Sequence, residues 1–335
     1  MTRLLSTLLL LLLPSWVLAG APERYSLKTP GIVQDIVTVG GKVVVTLANG
    51  TSFLLINKNG KYITEPSSAP QPSAVQRPDN ILPDGNIVSG TGLIRRAWLS
   101  APTARYDHGV LGDEIEAGAI SAVLADGRRL DFSLSEDAVF EDRTPRLVDL
   151  NGDQQEELLV VKTYLDRGAA LAIVTADKQN LQIAAEARAI GLSNRWLNPV
   201  GVADFDGDGI NEVAAVITPH IGGTLTLYEW RANKLIEDHA EYGFSNHQMG
   251  SRNQDLSVLL DINKDGIVDM VLPDAGRSSL LAVTFASGTY QTLFSIPLEG
   301  AITAPIRSAD INGDGRAEII YATTTGNLTV LSLKP

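Results

Sequence analysis

The 335 residues contain no cysteine. That excludes disulfides, a thiolate metal centre and a lipid-modified N-terminal cysteine. The chain also lacks a basic surplus, with 27 Lys and Arg against 39 Asp and Glu. A net charge of −12 makes nucleic acid or an acidic membrane surface a poor partner. Long apolar runs are missing beyond the first 19 residues, MTRLLSTLLLLLLPSWVLA. Arg3 supplies a positive start, Leu8 to Leu13 a short apolar core, and Val17-Leu18-Ala19 a cleavage context. Residues 1–19 therefore read as a secretory signal peptide, and an exported chain, periplasmic or extracellular, is expected. The run is too short, and too interrupted at Pro14, to read as a membrane anchor.

What is present in excess is acid at regular spacing. DLNGDQQEE (149–157), DFDGDGINE (204–212), DINKDGIVD (261–269) and DINGDGRAE (310–318) share the form Asp-x-Asn/Asp-x-Asp-x-x-x-Glu/Asp. Their starts recur at about 50 residues, the mark of a repeat architecture. The four stretches carry three, four, three and three carboxylates at the repeated positions. Close carboxylates cannot all stay ionised without a cation or raised pKa values. Oxygen donors at alternate positions suit a hard cation, and calcium accepts six to eight of them in irregular geometry. Solvated acidic turns are the alternative, and one such loop alone would not decide against them.

The loops are not EF-hands. Position twelve, where that loop needs a bidentate Glu, holds Val160, Ala215, Leu272 and Tyr321. The closing acid comes at position nine instead. The flanks, such as ELLVVKTY and EIIYATTT, are short β-rich apolar runs, so each loop joins two strands. The expected ligands are Asp149, Asn151, Asp153, Gln155 and Glu157; Asp204, Asp206, Asp208, Ile210 and Glu212; Asp261, Asn263, Asp265, Ile267 and Asp269; and Asp310, Asn312, Asp314, Arg316 and Glu318. Position seven would contribute its backbone carbonyl, and glycine at position six would let the chain reverse. Gln154 takes that place in the first loop.

These loops resemble the calcium loops of VCBS/FG-GAP repeats, the blade units of integrin-α-like β-propellers. The resemblance is strong over about 140–335. No Phe-Gly…Gly-Ala-Pro stretch precedes any loop, which places the sequence nearer the VCBS form of exported bacterial proteins. The resemblance implies a β-propeller with up to four bound Ca2+ ions. It does not imply adhesion.

The expected fold is all-β, a propeller of four-stranded antiparallel blades with calcium loops between the first and second strands of four blades. Residues 22–65 read as N-terminal hairpins forming a blade, 66–90 as a Pro/Ser-rich linker, and 91–335 as the propeller. Within it, 91–140 is a degenerate blade whose Gly112-Asp113 matches the Gly-Asp of the loops. The loop-bearing blades are 143–190, 198–241, 255–298 and 302–335. About six blades result, with five or seven open. The last repeat lacks a fourth strand, and a strand from the N-terminal part is expected to complete it, since a bare edge invites aggregation.

Strand alternation then puts the remaining loops on the opposite face. They carry Asp166, Arg167, Arg195, Trp196, His220, Asn246, His247, Arg252, Asp274 and Arg277. With only four histidines and four tryptophans in the chain, their concentration here marks a candidate ligand face. Packing of Trp196 beneath a loop is the alternative, and His220 with His247 as a transition-metal pair is another. His108 and His239 read as structural. The leading function is a calcium-stabilised, monomeric binding module for a protein or glycan. A hydrolase or lyase using Asp166, Asp274, His220 and His247, and a structural spacer, are the other two readings.

Overall fold

The computed structural model describes residues 21–68 and 76–333; residues 1–19, expected to be a signal peptide, lie outside the described residues. The fold is all-β, with strands paired antiparallel apart from one parallel residue pair. Among the described residues, no helix is long and apolar enough to cross a membrane.

Strand β1 (Glu23–Lys28) precedes a first meander of β2 (Val33–Val39), β3 (Lys42–Leu47), β4 (Ser52–Lys58) and β5 (Lys61–Ser67). A second holds β6 (Val88–Ser89), β7 (Ile94–Thr103), β8 (Glu116–Leu124) and β9 (Arg129–Ser133). The short β10 (Ala138–Phe140) leads to β11 (Arg146–Val148), β12 (Glu157–Tyr164), β13 (Gly168–Ala176) and β14 (Leu181–Glu186). The fourth meander is β15 (Leu197–Ala203), β16 (Glu212–Ile217), β17 (Thr224–Arg231) and β18 (Lys234–Tyr242). The fifth is β19 (Val258–Leu260), β20 (Asp269–Pro273), β21 (Ser279–Thr284) and β22 (Gln291–Pro297). The chain closes with β23 (Arg307–Ala309), β24 (Glu318–Thr323) and β25 (Asn327–Ser332).

The second strands of the last four groups are near-continuous apolar runs because both of their faces are covered. β12 is buried over seven of its eight residues and β24 over all six. Apolar clusters between consecutive groups do the covering. Leu158 and Val160 meet Leu99 and Phe140; Leu159 and Val161 meet Trp196 and Val213. Val216 meets Met270 and Phe285, and Val271 meets Ile319 and Tyr321. The last group packs on the first through Ile320 and Val330 against Ile36 and Leu55. Each buried Leu, Ile, Val or Phe in these seams contributes about 1.5–3 kcal/mol. Among the described residues, no such cluster joins the first meander to the second.

The fourth strand of the last sheet comes from the chain start. β1 pairs antiparallel with β25 from Glu23↔Ser332 to Lys28↔Asn327, giving the order β1-β25-β24-β23.

Three expectations need correction. The sheets are not six separate four-stranded units. The second, third and fourth groups form one thirteen-stranded sheet. Two narrow seams cause this: β10, which pairs with both β8 and β12, and the parallel pair Glu186↔Lys234. Gly112-Asp113 is not a degenerate counterpart of the acidic loops. It lies between β7 and β8, the second and third strands of its group, because the first strand is the two-residue β6. Nor are residues 76–90 a free tether: Ile81 and Leu82 are buried, and Ile81 bridges to Ser100.

Candidate metal loops and the opposite face

Each acidic loop leaves the end of a first strand and returns at the head of a second. Thus 149–157 joins β11 to β12, 204–212 joins β15 to β16, 261–269 joins β19 to β20, and 310–318 joins β23 to β24. The position-nine acid is in every case the first residue of the returning strand, which anchors it.

One hydrogen-bond pattern repeats in all four. The position-one Asp accepts the N–H of position six at 2.9–3.1 Å (Asp149, Asp204, Asp261, Asp310). The position-three residue (Asn151, Asp206, Asn263, Asn312) accepts the N–H of position five at 2.8–3.1 Å. Asp153, Asp208, Asp265 and Asp314 accept the N–H of Gln155, Ile210, Ile267 and Arg316, each at 2.8 Å. Glu157, Glu212, Asp269 and Glu318 accept the N–H of position two at 2.7–3.1 Å. Backbone donors thus occupy at least one oxygen of each of these acids, and both oxygens of Asp204 and Asp310.

Two left-handed residues make each turn. Position six is Gln154, Gly209, Gly266 or Gly315, and position four is Gly152, Gly207, Lys264 or Gly313, all at positive φ. The position-four requirement escaped the sequence reading, although three of the four residues there are glycine. Gln154 holds φ 67° with a side chain that disfavours it. Gln154→Gly is expected to stabilise the protein by about 1 kcal/mol, read by chemical denaturation. An unchanged midpoint would mean the first loop is not held in this turn.

Several oxygens remain without partners. Asp149 Oδ1, Glu212 Oε1, Asp261 Oδ1 and Asp269 Oδ1 are buried and accept no hydrogen bond. Leaving such an acceptor unmet costs about 1–3 kcal/mol. In the fourth loop, Tyr62 and Asn312 donate to Glu318 Oε1 at 2.9 and 2.6 Å. Burial, then the neighbouring aspartates, push Glu212 up to about 8 and Asp269 up to about 6. Glu157 and Glu318 are raised in the same direction, chiefly by burial. Ion-free, these acids seek a proton; a cation would meet the same need.

Loop 204–212 is the most concentrated. Ligand atoms from Asp204, Asp206, Asp208 and Glu212 all lie within 4.8 Å of one another. A calcium ion about 2.4 Å from each oxygen spans that distance. The residues therefore fit a hard divalent cation.

On the opposite side, part of the expected ligand face is interior. Trp196, Asn246 and His247 are buried. Trp196 Nε1 donates to Glu141 O at 2.9 Å, and its ring lies parallel to His220 at 6.1 Å and edge-on to His247 at 4.8 Å. Asn246 and Asn198 clamp the two connections by donating to each other's backbone oxygens at 3.1 and 3.2 Å. Asp274 caps its own turn through Ser278, Arg277 donates to Ser245 Oγ, and Arg252 pairs with Asp84 and Asp113. Asp166 pairs with Arg167, which also covers the Tyr164 ring, and Arg195 donates to Asn194 O. Asp166 and Asp274, named for the enzyme reading, are thus engaged in local turns.

His220 and His247 do meet, as a hydrogen-bonded pair. His247 Nε2 faces the Ser251 carbonyl at 2.8 Å, and a carbonyl only accepts, so this nitrogen carries the proton. Burial, the largest cause in both, holds His247 down at about 4 and His220 at about 3, so both rings are neutral. His247 Nδ1 is then the acceptor for His220 Nε2–H at 2.9 Å. His220 Nδ1 is left as an acceptor. Both His220 and His108 line a dimple of about 30 Å³ with Trp196 at its base. His108 is held by the buried Glu141. Nitrogen NMR should find His220 and His247 neutral in the Nε2–H form at pH 6, where unburied imidazoles are largely charged. Imidazolium shifts at that pH would contradict the relay.

The apolar residues of the dimple, Ile221 and Met249, were missed. They are exposed large side chains, 62 and 53 % accessible, and Leu192 is exposed on a neighbouring connection. Their signal in the sequence was an apolar residue inside a Gly- and Asn-rich loop. A larger cavity, about 810 Å³, lies elsewhere, between β14 and β18. A comparison with models of known protein families finds none that matches the chain, and a comparison with curated proteins finds no match either.

Proposed function

We propose that the chain is a calcium-stabilised β-propeller of the VCBS/FG-GAP kind, exported, that presents the face opposite its acidic loops to a protein or glycan partner. The observation that carries the calcium reading is the repeated cage, with buried carboxylate oxygens left unpaired in three of four loops. Six groups of strands, with β1 paired to β25 so that chain start and chain end share one sheet, favour a ring of six blades. In this reading calcium is structural: it fixes the first-to-second-strand turns, and the rigid frame holds the loops on the other face.

The binding reading rests on that other face. Ile221 and Met249 line the dimple that holds an oriented acceptor, His220 Nδ1, and the buried Trp196 ring. An apolar rim around a few fixed polar groups is what a partner site offers. Trp196 is unsuitable for testing it, because truncating a buried indole unfolds its surroundings. The test is glycan-array and partner capture with residues 20–335 in calcium buffer, comparing the native chain with Ile221→Ser/Met249→Ser. A ligand retained by the native chain and lost by a folded variant supports the face. Equal retention by both overturns it.

A further inference from the structure

We infer that loop 204–212 is one half of a two-cation centre, whose second position is built by His239, Asp238 and Asp206 for a zinc-class divalent ion. The second position begins in the pairing of β17 with β18. Leu227 faces His239 and Tyr228 faces Glu237, so Asp238 is an extra residue in the strand. Neighbours in a regular strand point to opposite faces; a bulge re-aims them. The same slip recurs in two sister groups, with Ala184 and Leu293 as the extra residues. There the following residues are Ala185 and Phe294, and Ala185, Leu293 and Phe294 are buried in apolar clusters. Only in the fourth group does the bulge present an Asp-His pair.

That pair turns toward the loop. His239 Nε2 lies 3.0 Å from Asp238 Oδ2 and 3.6 Å from Asp206 Oδ2. A tetrahedral ion with bonds of about 2.0–2.1 Å holds its ligands about 3.3 Å apart. Imidazole beside carboxylate selects a borderline ion such as zinc over calcium. The ring is set by Phe285, 5.7 Å away, and by the next turn at Gly288, where an added Cβ would sit 3.8 Å from Nε2.

Asp206 is placed to serve both positions. Its Oδ1 accepts the Asp208 N–H inside the loop, while Oδ2 faces His239. The sister loops have Asn151, Asn263 and Asn312 at this position, which offer only one oxygen. The one loop with a bridging carboxylate is therefore the one beside the Asp-His bulge. Independently, Glu212 Oε1, fully buried and unpartnered, belongs to the acid cluster that contains Asp206 and points to a cation at this centre. The bridged form rests on the calcium reading, since Asp206 is shared; Asp238 and His239 are not.

The test is titration of residues 20–335 with zinc chloride, first with calcium saturating and then without calcium. One zinc per chain is expected, weakened by about tenfold or more in His239→Ala and Asp238→Asn, since even outer-shell losses cost 10–100-fold. Calcium titration of His239→Ala should match the native chain, which also shows that the variant is folded. Cobalt(II) added to the native chain should give ligand-field bands that are absent in His239→Ala. No zinc uptake, or uptake unchanged in both variants, overturns the proposal. Zinc bound through His239 with no calcium uptake anywhere would support this site and refute the calcium reading instead.

Discussion

Asp208→Ala should lower stability by roughly 1.4–2.7 kcal/mol in 1 mM calcium and leave it nearly unchanged in EDTA. The magnitude follows from linkage: a site with a dissociation constant of about 10–100 μM contributes that much at about 1 mM ligand. The contrast between buffers follows from the cage. Asp208 donates nothing to the core; its Oδ1 accepts one exposed backbone N–H, from Ile210. Without the ion, its removal also relieves repulsion from Asp204, Asp206 and Glu212, which offsets the lost hydrogen bond. Urea melts of native and variant chains in the two buffers check this. An equal loss in both buffers would mean that the loop is held by its hydrogen bonds alone.

The ion-free loops should also have a distinctive pH response. Glu212 and Asp269 have folded pKa values of about 8 and about 6, raised above their unfolded values. The folded chain then binds more protons than the unfolded chain between those limits. Their contribution to stability is therefore present below about pH 4 and lost as pH rises toward 6 and 8. In EDTA this contribution lowers the midpoint on going from pH 5 to pH 8, and calcium, by replacing the protons, should suppress it.

The second large effect is removal of β1. Deleting residues 21–30 takes away six paired residues from β25 and the packing of Tyr25 and Leu27 against the last sheet. Lost ladder hydrogen bonds at about 1 kcal/mol net each give roughly 3–6 kcal/mol. The bared edge of β25 then offers a template for intermolecular pairing. The truncated chain should melt far below the full one and elute as aggregates in size-exclusion chromatography. A synthetic peptide of residues 21–30 should recover part of the loss. A truncated chain that stays monomeric with an unchanged melt would remove β1 from any role in closure.

The acidic loops were legible because their chemistry is local. Alternating oxygens, a position-nine acid and β-rich flanks all sit within about fifteen residues. The missing fourth strand of the last sheet was legible too, since a short terminal repeat leaves an edge. What stayed hidden depends on contacts distant in the chain. Trp196 is interior because it reaches Glu141, 55 residues back, and His247 is interior because it meets His220. The bulge that turns Asp238 and His239 to one side has no composition signal, so His239 read as an ordinary strand residue. Gly112-Asp113 misled for the opposite reason: two residues of local likeness carried no information about which strands they join.

The most direct test of the account is a thermal melt of residues 20–335 in 1 mM calcium and again in EDTA. Four occupied sites of the assumed affinity add roughly 6–11 kcal/mol, comparable with the whole stability of a typical domain. Chelation should lower the midpoint by a large margin, and added calcium should restore it. Coincident melts in the two buffers would contradict this, and the four carboxylate cages would then be turns that hold no ion.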